Sequence, residues 1–383
     1  MATTHTVTAY PVANGDTTQI VLANGRRVLL DFCHRSNAES ADTPEIDLKA
    51  QLRKELKDAK RDYFDVVAFT HADLDHIQGS TDFFELEYAE KYCGNGRIKI
   101  RELWLPAAML LEKTDQEHMQ DEFVLLRQEG RHRLLEGKGI RVFSQPQELM
   151  DWLEPKLKER DESPSARDHL FVDAGTLVPG FTLAADQVEF FTHSPFIKHC
   201  EEGDIIRNMA SLVLNIRFAV NAFLYDYLHF GDSDSEAIED IVRITQYHKR
   251  DDRLGWNLFN IPHHCSYKCL SKDEKDKGDR ETTPKPLVKH LLQQGKTGAY
   301  MICSSKPIPS TEEKQPPHFQ ARNAYQSHLD AVDGRRLLVT MEHPNTTKPE
   351  PLIFEITSGG VSWKRASAIG SAAIILSTPP RAG

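Results

Sequence analysis

The chain has 383 residues, 39% of them hydrophobic, and carries a formal net charge of −10 at pH 7. This composition supports one large core or two modest ones, and the acidity excludes a general nucleic-acid coat, which needs a surplus of Lys and Arg. No stretch reaches the roughly 18 to 20 consecutive apolar residues of a membrane helix, and the start of the chain lacks the pattern of a secretory signal.

The first hundred residues predict short strands followed by a βαβ unit. Asn24-Gly25 lies between alternating apolar runs and is a strong hairpin signal. Three leucines then occur at every fourth residue of a charge-rich stretch, which indicates an amphipathic helix. The elements predicted in this part are short strands over 5–33, a helix over 46–62, a buried strand over 64–70 and a strand over 97–105.

The middle of the chain, residues 107–185, is predicted to be a mainly helical insertion that shapes the rim of a site. A separate helical subdomain is the alternative. Strands and helices alternate after it as far as residue 364, so we assign residues 1–365 to one domain and 366–383 to a C-terminal tail. The six cysteines are scattered without a regular framework, which favours reduced thiols and a cytoplasmic location.

Two imidazoles and two carboxylates, those of His71, Asp73, Asp75 and His76, occur within six positions directly after the apolar run 66–69. Imidazole and carboxylate groups are the ligands that Zn²⁺ and Mn²⁺ accept. Without a cation, this density would leave like charges facing one another at the end of a strand. The segment therefore predicts a metal site, and a polar loop with two chance histidines is the alternative.

This segment resembles the His-x-His/Asp-x-Asp-His signature of the metallo-β-lactamase superfamily. An Asp at the second place of this signature also resembles the pattern in the soluble hydrolase domain of ComEC-type DNA-uptake proteins. Further similar motifs follow the superfamily's order, at 12–16, 208–214, 228–232 and 261–266. Over roughly residues 5–360, the resemblance implies an α/β fold, the metallo-β-lactamase αββα sandwich, with two mixed β-sheets flanked by helices.

The resemblance also implies two divalent metal ions, Zn²⁺ or Mn²⁺, with Mg²⁺ also admitted. His71 and Asp73 would hold the first ion, Asp75 and His76 the second, and Asp232 would bridge them. The closing ligand of the second ion would come from the pair of histidines at 263 and 264. We prefer His263, with His264 either supporting the ligands from outside or contacting the substrate, and keep the assignment of His264 as the ligand as the alternative. The catalytic group would comprise Asp73, Asp75 and His264, with either carboxylate orienting the attacking water.

Other side chains are predicted around this centre. Many superfamily members supply a further histidine to the first ion, and the chain has no clear equivalent, so that position is expected to be oxygen-rich and suited to Mn²⁺ or Mg²⁺. Asp16 and Asp31 are the candidates to orient the imidazoles, with turn capping as the alternative. The candidate substrate-binding residues are His193, Asn208, Ser211, Ser266 and His318.

The leading functional hypothesis is a phosphodiesterase or nuclease that uses metal-activated water on DNA or RNA. The acidic net charge favours a second hypothesis, in which the same hydrolase acts on a small phosphodiester, a cyclic nucleotide, a lactone or a thioester. A third reading is an inactive scaffold that binds a protein partner through residues 107–185 or the tail. An open basic groove would favour nuclease action, and a closed pocket would favour a small substrate.

Overall fold

The computed structural model describes residues 4–40, 42–113, 121–201, 207–272, 280–311 and 313–365. Within these ranges, two β-sheets pack face to face and helices cover both outer faces. Both sheets mix parallel and antiparallel strands. The predicted sandwich of two mixed sheets between layers of helices is therefore confirmed. The tail predicted over 366–383 lies outside the described residues.

The first sheet is antiparallel at one side and parallel at the other. Its described strands are β1 (His5–Ala9), β2 (Thr18–Val21), β3 (Arg27–Leu30), β4 (Tyr63–Ala68), β5 (Lys99–Pro106), β6 (Ile140–Phe143), β7 (Phe171–Val172), β14 (Leu352–Thr357) and β15 (Gly360–Lys364). Their order in space is β15-β14-β1-β2-β3-β4-β5-β6-β7. The pairs from β3 to β7 are parallel, so β3, β4 and β5 end at one edge of the sheet.

The second sheet repeats this division. Its described strands are β8 (Val188–Ser194), β9 (Val213–Val220), β10 (Phe223–His229), β11 (Trp256–Asn260), β12 (Gly295–Cys303) and β13 (Arg336–Val339). Their order is β13-β12-β11-β10-β9-β8, antiparallel from β8 to β10 and parallel from β10 to β13. The carboxyl ends of β10, β11 and β12 therefore lie side by side, where open α/β sheets place their sites.

The helices pack on the outer faces of the two sheets. They are α1 (Leu48–Asp58), α2 (Leu74–Ile77), α3 (Ser80–Phe83), α4 (Ala107–Leu111), α5 (Asp121–Glu136), α6 (Gln147–Lys158), α7 (Ile197–Glu201), α8 (Ser235–Tyr247), α9 (Pro286–Leu292) and α10 (Phe319–Ala331). One core lies between the first sheet and α1, a second between the sheets, and a third under α8, α9 and α10. None of the described helices combines the length and apolar composition needed to cross a membrane.

Residues 107–185 share the architecture of their surroundings. They add β6 and β7 to the first sheet, and α5 and α6 bury Phe123, Leu126 and Leu149 in the same core as the leucines of α1. Helices α4, α5 and α6 make up most of the regular structure described in this segment. The two-residue strand β7 has no counterpart in the prediction, because so short a strand carries no periodicity.

Two backbone contacts bring the ends of the two sheets together. Thr70, just past β4, accepts a hydrogen bond from the Leu212 amide at the start of β9 (2.9 Å). The Gly231 carbonyl, just past β10, accepts one from the amide of His263 (3.1 Å). The segments that follow β4, β10 and β11 therefore meet at one edge of the sandwich, and these segments carry the candidate ligands.

Candidate metal centre

Four candidate ligands converge at this edge, the side chains of Asp75, His76, Asp232 and His264. One ligand atom from each lies within 4.8 Å of those from the other three. His76 Nε2 is 3.1 Å from Asp232 Oδ1, and His264 Nε2 is 3.1 Å from Asp75 Oδ2. Two imidazoles and two carboxylates form a donor set that suits Zn²⁺ or Mn²⁺. We call this group the second position.

The first position lies next to the second and shares Asp232 with it. His71 Nε2 is 3.4 Å from Asp73 Oδ2 and 3.8 Å from Asp232 Oδ2. This nitrogen is buried and has no hydrogen-bond partner within the part of the chain that the structure describes. Leaving a buried polar atom unpaired is costly, and a cation held with the two carboxylates would satisfy it. The residues of both positions therefore fit a divalent metal ion.

The two adjacent histidines have different environments. His264 is 3% exposed and belongs to the second position, with its Nε2 3.7 Å from Asp232 Oδ2. His263 is 24% exposed, and its Nε2 is also 3.7 Å from Asp232 Oδ2, but it lies outside the four-residue group. Asn208 contacts its other ring nitrogen at 3.3 Å. The sequence analysis predicts His263 as the closing ligand of the second position, whereas the structure places His264 there.

A different group orients each imidazole. His76 donates from Nδ1 to Asp31 (2.8 Å), His264 donates from Nδ1 to the Ser304 carbonyl (2.7 Å), and the Nδ1 of His71 lies 3.1 Å from Thr70 Oγ1. In each case the Nε2 atom is left facing the cluster. Such partners fix the tautomer and orientation of a metal-binding histidine.

Of these orienting groups, only Asp31 was singled out from the sequence. Thr70 directly precedes His71, so its place in the sequence could have identified it as an orienting group. Ser304 acts through its backbone carbonyl at the end of β12, and no sequence pattern marks that role. Asp16 lies one step further away: its carboxylate accepts from the Ser304 hydroxyl (3.1 Å), and its amide donates to the Asp75 carbonyl (3.0 Å).

Arg207 binds Asp73, and Glu112 in turn binds Arg207. Neither residue was singled out from the sequence. Arg207 donates to Asp73 Oδ1 at 2.6 Å, while its Nε and Nη2 atoms donate to Glu112 at 2.9 and 2.6 Å. Burial alone would raise the pKa of Asp73, but His71 and Arg207 outweigh it and hold that pKa well below its usual range. Asp73 is thus kept ionised, with Oδ2 directed at His71.

We predict that Glu112→Gln weakens metal binding at the first position about 10- to 100-fold, because Arg207 loses its bidentate anchor and Asp73 its fixed orientation. The second position should keep its affinity. Calorimetric titration of the metal-free protein with Mn²⁺ resolves the two steps. Lys113→Ala is the matched control, because Lys113 is the next residue and its exposed side chain pairs with Glu148. Equal affinities in wild type and Glu112→Gln would contradict the role of Glu112.

His193 is not brought to the centre. It lies between β8 and α8, where Nδ1 accepts from Thr245 Oγ1 (3.2 Å) and Nε2 donates to the Arg253 carbonyl (3.1 Å). Burial lowers its pKa to about 4. Both ring nitrogens are therefore used inside the protein, and the structure gives no support to a substrate-binding role for His193.

The other predicted substrate-binding residues lie closer. Asn208 contacts the ring of His263, and the Ser211 hydroxyl donates to the Arg207 carbonyl (3.4 Å). Ser266 caps the next turn, where its hydroxyl accepts from the Lys268 amide (3.4 Å). His318 is buried against the ring of Tyr267. Among the described contacts, Asn208 is thus the one member of this set whose side chain contacts the ring of a candidate ligand.

The turn that presents the two histidines has an unusual backbone. His263, His264 and Cys265 all adopt left-handed conformations, with φ of 48°, 51° and 67°. Cys265 stands where the resembled motif has Gly, and a left-handed φ is the conformation that Gly tolerates best. The ordinary side chains here are therefore held in place by their surroundings.

We expect Cys265→Gly to be more stable than Cys265→Ala by about 1 kcal/mol, because Gly relieves the left-handed strain. Denaturant unfolding of the two variants measures the difference. Cys269 supplies the control, since it is equally buried but has no left-handed φ. There, Ala should be the more stable replacement. The same order of Gly and Ala at both positions would contradict the assignment of strain to the turn.

The charges of the cluster depend on one another. Burial disfavours the charged form of each group, but the surrounding imidazoles hold the pKa of Asp232 well below its usual range. Burial likewise lowers the pKa of His264, yet Asp232 and Asp75 outweigh burial and raise that pKa to about 9. In the metal-free protein, the proton on His264 thus supplies part of the positive charge that a bound cation would provide.

This shift predicts a pH-dependent stability of the metal-free protein. Because the folded-state pKa of His264 lies above its unfolded value, its contribution is complete below about pH 6.5 and is lost as the pH rises through about 9. We expect a loss on the order of 3 kcal/mol across this window. Urea unfolding at several pH values, with and without Zn²⁺, measures it, and Zn²⁺ should abolish the decline. A metal-free protein equally stable at pH 6 and pH 9 would contradict this prediction.

Comparisons with known proteins add a structural likeness at low identity. No protein-family model and no curated protein matches the sequence. Three similar solved structures are a long form RNase Z from yeast, a diphosphatase from the PhnP family and a class B3 di-zinc metallo-beta-lactamase from an Alaskan soil metagenome, at 12%, 11% and 10% identity. The matches cover 88%, 93% and 85% of this chain and 40%, 100% and 90% of the others. Their TM-scores are 0.39, 0.33 and 0.28, and at such values the likeness carries no argument about activity.

Proposed function

We propose that this chain is a metal-dependent hydrolase that cleaves phosphodiester bonds, with DNA or RNA as the substrate. The observation that carries the proposal is the convergence of Asp75, His76, Asp232 and His264 from distant segments onto one point, with His71 and Asp73 next to them. Buried polar groups assemble in this way where they bind a ligand, since unpaired they would destabilise the fold.

Divalent cations bound here would supply Lewis acidity, lowering the pKa of water and neutralising charge that develops on the attacked phosphate. The chain provides the remaining functions. Asp73 and Asp75 are 36% and 32% exposed, so both carboxylates reach the open side of the centre, where they can orient a water molecule by accepting hydrogen bonds from it. His263 and Asn208 stand on the same open side and are placed to donate hydrogen bonds to a phosphate oxygen.

An open groove beside the centre supports a phosphodiester substrate. It has a volume of about 1170 Å³ and is lined by Tyr267, Lys306 and Lys314, together with Asn14, Glu313 and a series of prolines. Tyr267 follows His264 by three residues, and Lys306 follows Ser304 by two. Two lysines and an aromatic ring suit a strand with phosphates and bases better than a neutral ester.

Asn14 connects the wall of this groove to a loop that contacts the metal centre. Its amide donates to the Pro316 carbonyl (2.7 Å) and its side-chain oxygen accepts from the Lys306 amide (2.9 Å). Two residues later, the Asp16 amide bonds to the Asp75 carbonyl. The same short loop thus contacts both the wall of the groove and a candidate ligand, which supports a single substrate path.

The test is hydrolysis by the pure protein loaded with Mn²⁺ or Zn²⁺, offered single-stranded DNA, plasmid DNA and RNA. We expect metal-dependent cleavage of at least one polymer, and Lys306→Ala/Lys314→Ala should raise KM for it about tenfold. No cleavage by protein whose two positions are shown to be filled would overturn the proposal.

A second candidate is hydrolysis of a small phosphodiester by the same centre, which the net charge of −10 favours. Cyclic nucleotides and an aryl phosphodiester, offered in parallel, decide between the two. Turnover of these compounds without cleavage of any polymer would select the second candidate. In that case the double lysine variant should leave their KM unchanged, because a small substrate does not extend along the groove.

A further inference from the structure

A second cluster of ligand-type residues lies beneath the metal centre, between the two sheets. It consists of Asp16, Asp31 and His229, and one ligand atom from each lies within 4.8 Å of the other two. All three side chains are buried, at 3% exposure or less. We call this group the buried chamber. It goes beyond the proposed function, because none of its residues lies on the open side of the centre.

The fold brings the three residues together from different elements. Asp31 directly follows β3 in the first sheet and has a left-handed φ of 56°. His229 ends β10 in the second sheet, two residues after Tyr227, whose side chain belongs to the core between the sheets. Because alternate residues of a strand share a face, the imidazole of His229 also points between the sheets.

The two carboxylates of the chamber have unequal partners. Asp31 accepts from the Thr70 amide and hydroxyl and from His76 Nδ1. Among the described contacts, Asp16 accepts only from neutral donors, the amide of Asn260 (2.9 Å) and the hydroxyl of Ser304 (3.1 Å). Burying an ionised carboxylate with neutral donors alone is costly, and a nearby positive charge offsets that cost.

Two buried atoms of the chamber have no hydrogen-bond partner among the described residues. They are His229 Nε2 and Asn260 Oδ1. His229 Nε2 lies 3.7 Å from Asp16 Oδ2, which brings it inside the cluster. Asn260 Oδ1 belongs to the same amide group that donates to Asp16. A nitrogen and an oxygen with free lone pairs, next to two carboxylates, indicate a ligand that accepts electron pairs.

The distance between His229 and Asp16 identifies the kind of ligand. A proton shared by the two groups would bring them to about 2.7 to 3.2 Å, and 3.7 Å is too long for that bond. Two ligand atoms that each lie about 2.1 Å from one tetrahedral metal ion are roughly 3.4 Å apart. The observed spacing is therefore closer to that of two groups that share a metal ion.

We propose that Asp16, Asp31 and His229 form a third, buried metal site that holds one divalent transition-metal ion of the Zn²⁺ class. An imidazole beside two carboxylates favours Zn²⁺ or Mn²⁺ over Ca²⁺ and Mg²⁺, which prefer oxygen ligands alone. The site is structural, since burial denies it contact with substrate. Asp31 joins it to the catalytic centre, because the same carboxylate orients His76.

The first test is the number of Zn²⁺ ions retained per chain, measured by elemental analysis after refolding with Zn²⁺ and gel filtration. We expect three ions in wild type and two in His229→Gln. His5→Gln is the matched control, because His5 is also buried with an unpartnered Nε2 but lies outside the chamber. It should keep all three. Equal counts in wild type and His229→Gln would overturn the proposal.

A second test needs no variant and covers the case that His229→Gln fails to fold. Crystals of wild type grown with Zn²⁺ are measured above and below the zinc absorption edge. We expect an anomalous peak within bonding distance of His229 Nε2 and Asp16, separate from those at the catalytic centre. A map with zinc at the catalytic centre and none in the chamber would overturn the proposal and leave the proposed function standing.

Discussion

Replacing Asp232 with alanine should remove metal from both catalytic positions and lower hydrolysis at least a thousandfold. Its Oδ1 atom faces His76 at 3.1 Å, and its Oδ2 atom lies within 3.8 Å of His71, His263 and His264. No other described carboxylate contacts all four imidazoles. A thousandfold loss corresponds to about 4 kcal/mol of transition-state stabilisation, in the range expected when an electrostatic centre is dismantled.

The matched control is Asp234→Ala, two residues further along the chain. Asp234 is also buried, but it caps α8, where its side chain accepts from the amides of Glu236 and Ala237. Loss of this cap should cost about 1 kcal/mol of stability and leave metal content unchanged. If Asp232→Ala kept its metal and its activity while Asp234→Ala behaved as expected, the centre described here would not be the site of hydrolysis.

The second large effect separates the two adjacent histidines. His264→Ala should abolish binding at the second position and lower hydrolysis at least a hundredfold, because its Nε2 lies 3.1 Å from Asp75 and its Nδ1 is fixed by Ser304. His263→Ala should retain the metal of the second position and lose about tenfold in rate, as expected for a partly exposed group that donates a hydrogen bond to the substrate.

Metal titrations on the metal-free variants measure the first effect directly, and rates with saturating Mn²⁺ measure the second. Each histidine serves as the control for the other, since both lie in the same turn with a similar backbone strain. The opposite result, in which His263→Ala loses the second-position metal and His264→Ala keeps it, would restore the assignment preferred from the sequence.

Local motifs explain most of what the sequence alone could predict. His71, Asp73, Asp75 and His76 lie within six positions after a buried strand, so their proximity in space was nearly assured. The order of the longer strands and helices also followed, because each of these elements is long enough to show its period. The meeting of Asp232 with this motif depended on the resemblance, since 156 residues separate it from His76.

The exceptions have physical reasons. Every residue of β8 is buried, so alternation along the strand gives no sign that His193 faces α8 and not the centre. His263 and His264 differ through the left-handed turn, and a sequence does not reveal which of two neighbours such a turn directs inward. Arg207 and Glu112 meet across 95 residues, and neither lies within a motif.

The pairing of β1 has a consequence for how the chain reaches this structure. One side of β1 bonds to β2, but the other bonds to β14, with His5 opposite Ile356 and Ala9 opposite Leu352. On a ribosome, the amino-terminal strand therefore emerges long before its second neighbour is synthesised, and contacts of such sequence separation form slowly. Until β14 has been synthesised, β1 presents an unpaired edge, at which nascent chains of this protein are exposed to edge-to-edge aggregation.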